Sequence, residues 1–230
     1  MQIIIGNSIG VNRTSTLGGE FEYTAIDNNF SMEFDRAAGD YMTTGINIPT
    51  DSDITVSFWV KGNTKAGFFT PGIFPFGIGV GGNSTSGRIH ADKFMIQSLD
   101  NDGVNFGNRI VDIDIYDGNW YHMVFTRSNA TGQYFAYVNG INVQWTGYSG
   151  ASSAPSITIN PSGDLYIGTA GANTAYCFDG IIDEFAIWDV VLGDPTIEAI
   201  YNTTNDSDTG QVADLSETPE GVPLAWYRFE

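Results

Sequence analysis

Residues 178–189, FDGIIDEFAIWD, place four carboxylates, Asp179, Asp183, Glu184 and Asp189, in one apolar stretch that reads as a strand. A second acidic spacing, Asp112 and Asp114, lies in NRIVDIDIY at residues 108–116. Two carboxylates on one strand face can cut a glycosidic bond when they stand about 5–5.5 Å apart (retaining) or about 6.5–9.5 Å apart (inverting). The same oxygens can hold a hard cation. Sequence neighbours on a strand point to opposite faces, and residues two apart share a face at about 6.7 Å. By that measure Asp183 and Glu184 diverge, Asp179 and Asp183 stand about 13 Å apart, and Asp183 and Asp189 about 20 Å. No two of the four make a catalytic pair. Asp112 and Asp114 match the inverting distance, but Tyr116 stands where a third acid would extend the face. They are expected to contact a ligand or cation, not to catalyse.

Other chemistry is sparse. The two histidines are His90 and His122, and His122 sits among aromatics in WYHMVF (120–125), as a packed, hydrogen-bonded residue would. No Ser-His-Asp order, Gly-x-Ser-x-Gly turn or His-Glu-x-x-His run is present. Cys177 is the single cysteine, which excludes an internal disulfide and a cysteine-rich metal site and suits a small core residue. Trp145 and Tyr148 in QWTGYSG have the composition of a loop whose rings stack on sugars. Phe68, Phe69, Phe74 and Phe76, in the Gly- and Pro-rich stretch 62–87, are candidates for a partner patch or for covering one end of the fold. Trp59, Trp120, Trp188 and Trp226 fall in strand-like segments and are expected in the core or between sheets.

The elements that must position these residues are mostly short strands. DITVSFWVK (53–61) alternates Ile54, Val56, Phe58 and Val60 against Thr55, Ser57 and Trp59, the period of a half-buried strand. QIII, EFEYTAI, SMEFD, DYMTTGINI, a short segment near 73–80, RIHADKFMIQSL (88–99), NWYHMVFTRS, GQYFAYVNGINVQW, SITIN and GDLYIGT read as further strands. Asn139-Gly140 marks a two-residue hairpin, and DNDG (100–103) a turn. GDPTIEAIYN carries one short helix near 195–202, with Asp194 as its cap, Pro195 at its first position, and Ile197, Ile200 and Tyr201 on one stripe. The polar run 203–223 reads as an acidic linker or surface loop, and LAWYRFE (224–230) as a strand that closes the domain or opens another. Strands at this spacing predict an all-β, two-sheet antiparallel sandwich occupying residues 1–230 as a single domain.

Composition bounds the partners. The chain has 230 residues, 42 % hydrophobic, with 28 Gly, enough apolar side chains for a sizeable core. Nine basic residues face 27 acidic ones, a formal charge of −18, which repels nucleic acid and anionic membranes. The start, MQIIIGNSIG, lacks the charged and apolar regions of a signal peptide, and no segment is apolar enough to be inserted in a membrane. Either the chain is a domain cut from a longer protein, or it reaches an exterior without ordinary secretion, as proteins of virus particles do.

Three segments in order resemble the laminin G-like/pentraxin-like jelly rolls of the concanavalin A-like lectin/glucanase superfamily. They are SMEFDRAAGDYMTTGINIPTDSDITVSFWVK, DGNWYHMVFTRSNATGQYFAYVNGINV and LYIGTAGANTAYCFDGIIDEFAIWDVVLGDPTIEAIYN, spanning about residues 30–202. LAWYRFE resembles the strand that usually opens such a domain, yet here it comes last. The resemblance implies a jelly roll, and calcium at Asp183 and Asp40. Such domains occur in adhesins, enzyme appendages and surface proteins of marine phages. The expectation is a non-catalytic recognition or display module on a virion surface, as a capsid decoration, fibre or tail component. Its expected partners are other virion or surface proteins, copies of itself and glycans. A carbohydrate-binding or adhesion domain of a bacterial cell surface, and a divergent polysaccharide hydrolase or lyase, are the alternatives.

Overall fold

The computed structural model describes residues 23–48, 52–63, 73–79, 84–90, 93–99, 106–144, 147–150, 163–204 and 211–229. Strands are numbered along the chain. One sheet is ordered β11 (Ile141–Val143), β10 (Tyr134–Val138), β9 (Tyr121–Arg127), β4 (Ile54–Gly62), β14 (Gly180–Trp188), β16 (Ala225–Tyr227), and β2 (Met32–Phe34) also pairs with β14. The other is ordered β12 (Gly147–Gly150), β8 (Phe106–Val111), β7 (Lys93–Leu99), β6 (Ser84–His90), β5 (Ile73–Ile78), β13 (Gly163–Ile167), β3 (Met42–Ile48). A small ribbon pairs β1 (Ala25–Asp27) with β15 (Gln211–Ala213). All pairings are antiparallel.

The alternation of β4 holds. Ile54, Val56, Phe58 and Val60 lie in the core between the sheets. Phe58 is 5.6 Å from both Phe76 and Phe185, and Phe94 stacks on Phe125 at 5.2 Å. Thr55, Ser57 and Trp59 turn to the other face. There α1 (Asp194–Thr204), the one α-helix among the described residues, lays Ile197 and Ile200 on a second core with Val124, Tyr137, Ala186 and Trp188. The Asn139-Gly140 hairpin is present, with φ of 51° and 76°, the left-handed pair a type I′ turn requires.

Three expectations are corrected. RIHADKFMIQSL is two strands, β6 and β7, paired to one another with Arg88 opposite Met95. NRIVDIDIY stops being a strand at Val111. The run after α1 is no linker where it is described: Val212, Ala213 and Leu215 are buried, and β15 pairs with β1. In LAWYRFE, β16 pairs with Phe185, Ala186 and Ile187 of β14, as a strand of this sandwich. QIII and SITIN lie outside the described residues.

Candidate functional site

β14 has its two edge partners in series. β2 pairs with Gly180, Ile181 and Ile182, and β16 with Phe185, Ala186 and Ile187. Asp183 and Glu184 occupy the gap, at the point where the register to β4 also slips. Glu184 has φ +49°, in the left-handed region. This bulge inserts one residue, so Ile182 and Phe185 both face the main core although they are three apart. Both acids are thereby expelled from that core on the same side. The expectation that Asp183 and Glu184 diverge is thus overturned. Strand alternation fails at a bulge, and nothing in Ile-Asp-Glu-Phe announces one.

The Asn28 side-chain amide donates to both acids, at 3.3 and 3.4 Å to the Asp183 oxygens and also to Glu184 Oε1. Its own oxygen accepts from the Phe30 amide, which fixes which end faces the carboxylates. Trp226 Nε1 donates to Glu184 Oε2 at 2.6 Å, and the Glu184 amide to Asp183 Oδ1 at 2.8 Å. Arg228 lies over Trp226, its guanidinium 5.1 Å from the ring centroid, and donates to the Asp27 carbonyl. Burial pushes both carboxyls well above the ordinary carboxylate range, and the Asp183 charge raises Glu184 further. The hydrogen bonds and the Arg228 charge act against that rise. At neutral pH the pair therefore retains a proton on folding.

Calcium takes six to eight oxygens. The groups aimed at Asp183 and Glu184 are N–H donors, which suit carboxylates and not a cation. Asp40 is elsewhere: it accepts from the Asp35 amide, one residue beyond Phe34, which pairs with Gly180. Strand rise puts that turn more than about 10 Å from Asp183. Among the described residues no three His, Cys, Asp or Glu side chains group as a metal site. The donor set as it stands does not fit calcium.

The remaining candidates disperse. Asp112 and Asp114 follow the end of β8 and are exposed. Asp112 pairs with Lys93 at 2.8 Å, and Asp114 accepts from the Tyr116 amide at 3.0 Å, a local turn. Trp145 lies outside the described residues, as do Phe68 and Phe69. Tyr148 is placed through its backbone, opposite Arg109. Phe76 is fully buried between the sheets, and Phe74 is buried against Arg88 and Tyr176, so neither contributes a free apolar patch. Trp188 is buried, Trp59 and Trp226 are half-buried on the α1 side, and Trp120 is exposed in a loop, against its expected core position.

His122 is fully buried, shares a 2.8 Å hydrogen bond with Ser57 Oγ, and packs against Trp59 and Tyr201, with ring centroids at 5.2 and 6.1 Å. Burial lowers its pKa to about 3. It is a neutral packing residue. Sequence reading missed Asn28 and Trp226, which stand 155 and 42 residues from the acids they hold.

The two facing sheets, the edge hand-over at β14 and the covering helix define a lectin-like jelly roll. The chain belongs to the concanavalin A-like lectin/glucanase superfamily, whose family model matches residues 36–198. It is 24 % identical over 218 residues to a sushi, von Willebrand factor type A, EGF and pentraxin domain-containing protein of Rattus norvegicus. That match takes in 90 % of this chain and 5 % of the rat protein, so the chain spans a small part of its relative's length. Among solved structures it is similar to the CBM40 of Ruminococcus gnavus IT-sialidase bound to α2,3-sialyllactose. That similarity has a TM-score of 0.50 and 13 % identity over 79 % of this chain and 97 % of that one. It is also similar to the enzymatically active domain of tailspike protein 2 of bacteriophage CBA120, with a TM-score of 0.60 and 10 % identity over 94 % of this chain and 34 % of that one. These two likenesses show a shared fold.

Proposed function

We propose that the protein is a glycan-recognition module without catalytic chemistry, displayed on a virion surface in contact with other particle proteins and copies of itself. One observation carries the non-catalytic part. Of the adjacent carboxylates, Glu184 is buried and Asp183 half-buried, and Asn28 and Trp226 engage their oxygens, which holds them back from a glycosidic oxygen. Asp112 is tied to Lys93 and Asp114 to its own turn. Membership of the lectin/glucanase superfamily and the sialyllactose-bound neighbour support glycan recognition. The tailspike likeness and the formal charge of −18 accord with display on a particle.

A panel of neutral and acidic glycans tests recognition, with binding read by calorimetry and cleavage by reducing-end release. Binding without cleavage is expected, unchanged in the Asp112→Asn, Asp114→Asn double variant. Cleavage that this variant abolishes would establish the hydrolase alternative. Gold-labelled antibody on purified particles tests the location; label absent from particles and present on a bacterial envelope would move the protein to a cell surface. That second reading is favoured by the rat relative, in which the matched unit is 5 % of a long chain.

A further inference from the structure

Arg88 lies on β6 between Gly87 and Ile89, both turned to the core: a Cβ on Gly87 would meet the Phe76 and Phe94 rings, and Ile89 is a core residue. Alternation puts Arg88 on the outer face of the second sheet. A register irregularity between Ile73 and Phe76 brings Phe74 to the same place, with the guanidinium carbon 5.8 Å from its ring centroid. Phe74 in turn meets Tyr176 at 5.6 Å. Tyr176 comes from a segment arched over this face, anchored where the Gly168 amide donates to the Pro75 carbonyl and where Ala170 packs on Gly77.

The chain has three acids for every base, yet among the described residues no acid pairs with this arginine. Its Nε is buried and makes no hydrogen bond. Arg127 and Arg228 also leave a buried Nε without a bond, but a terminal nitrogen of each donates, to the Ser52 and Asp27 carbonyls, and Lys93 pairs with Asp112. A guanidinium cannot shed its charge, and a buried donor without an acceptor is costly. The planar fork matches a carboxylate or sulfate in bidentate fashion. Arg88 and Tyr176 are each half-buried, so both retain an open side.

We propose that Arg88, Phe74 and Tyr176 form a subsite for an anionic sugar ring, with the guanidinium on its carboxylate or sulfate, Phe74 holding the guanidinium from beneath, and Tyr176 against the ring. The inference rests on the glycan-recognition reading and adds the class of ligand. Net negative charge does not preclude it, because charges beyond about 8 Å are screened at physiological salt whereas a contact pair is not.

The test is calorimetry of the whole chain with oligogalacturonate, a sulfated galactan oligosaccharide and a neutral galactan oligosaccharide. Arg88→Gln should weaken the acidic probe that binds at least tenfold and leave any neutral binding unchanged. Arg88→Lys, which keeps charge but loses the fork, should weaken it several-fold. The arm that binds, carboxylate or sulfate, identifies the anion. Arg88→Met guards against a folding artefact: it should melt at or above the wild-type temperature, since the orphaned donor is gone, while still losing the acidic probe. Glycan binding indifferent to acid groups and to Arg88→Gln would overturn this inference and leave the recognition reading standing. No binding to any glycan would overturn both.

Discussion

Asp183 and Glu184 set one side of the pH dependence and His122 the other. Both carboxyls have folded pKa values above the unfolded values of 3.8 and 4.5. The native state therefore holds more protons, and their contribution is lost as pH rises through neutrality. His122 is depressed from 6.5 to about 3, so the unfolded chain binds the extra proton and stability falls as pH drops below 6.5. Urea midpoints in chelator-treated buffer should peak in mildly acidic solution and decline on both sides. Asp183→Asn removes one of the two repelling charges, should flatten the alkaline limb, and should add about 1–2 kcal/mol at pH 8. A wild-type midpoint that climbs steadily from pH 5 to pH 9 would contradict the shared proton. Calcium titration at pH 8 checks the sequence-derived ion: saturable binding lost in Asp183→Asn would mean that Asn28 turns its oxygen inward.

At the scale of elements, the bulge in β14 is the feature on which the site depends. A non-glycine residue in the left-handed region costs about 1 kcal/mol. Glu184→Ala and Glu184→Gly both lose the bonds to Asn28 and Trp226, so their difference isolates the backbone. The glycine variant should be the more stable by about 1 kcal/mol in equilibrium unfolding. Equal stabilities would mean that the bulge relaxes once the carboxylate is gone. This element also marks what the sequence could tell. The Asn139-Gly140 hairpin, the Pro195 helix start and the alternation of β4 were legible because each is a local preference of backbone or pleat. The bulge was not, because glutamate at φ +49° carries none of the glycine or asparagine signal that marks such positions. Without it, a period-two reading necessarily sends Asp183 to the wrong face. Asn28 and Trp226 reach the acids only through tertiary folding, and no spacing rule links them. The second sheet was harder to read than the first, since glycines and Pro75 interrupt the alternation of β5 and β6.

For the whole molecule, the acid pair joins the two ends of the described chain to one central strand. Asn28 arrives just before β2, Trp226 lies on β16, and both bond Glu184. Glu217 strengthens the same closure by accepting from the Thr24 amide and hydroxyl, as does the β1–β15 ribbon. If these contacts act as one clasp, loss of either side should weaken the other. Asn28→Ala and Trp226→Phe each remove a donor to Glu184, the second while keeping an aromatic ring. In a double-mutant cycle of unfolding free energies, groups sharing one partner should couple by about 0.5–3 kcal/mol, whereas independent sites would add within about 0.5 kcal/mol. Hydrogen exchange supplies the spatial readout. Trp226→Phe should speed exchange at residues 24–27 and 211–213 as well as in β14, because the ribbon and the closing strand meet at the same carboxylates. Exchange that changes only in β14 and β16 would mean that the ends are fixed separately, with Glu184 a local bond and not the clasp.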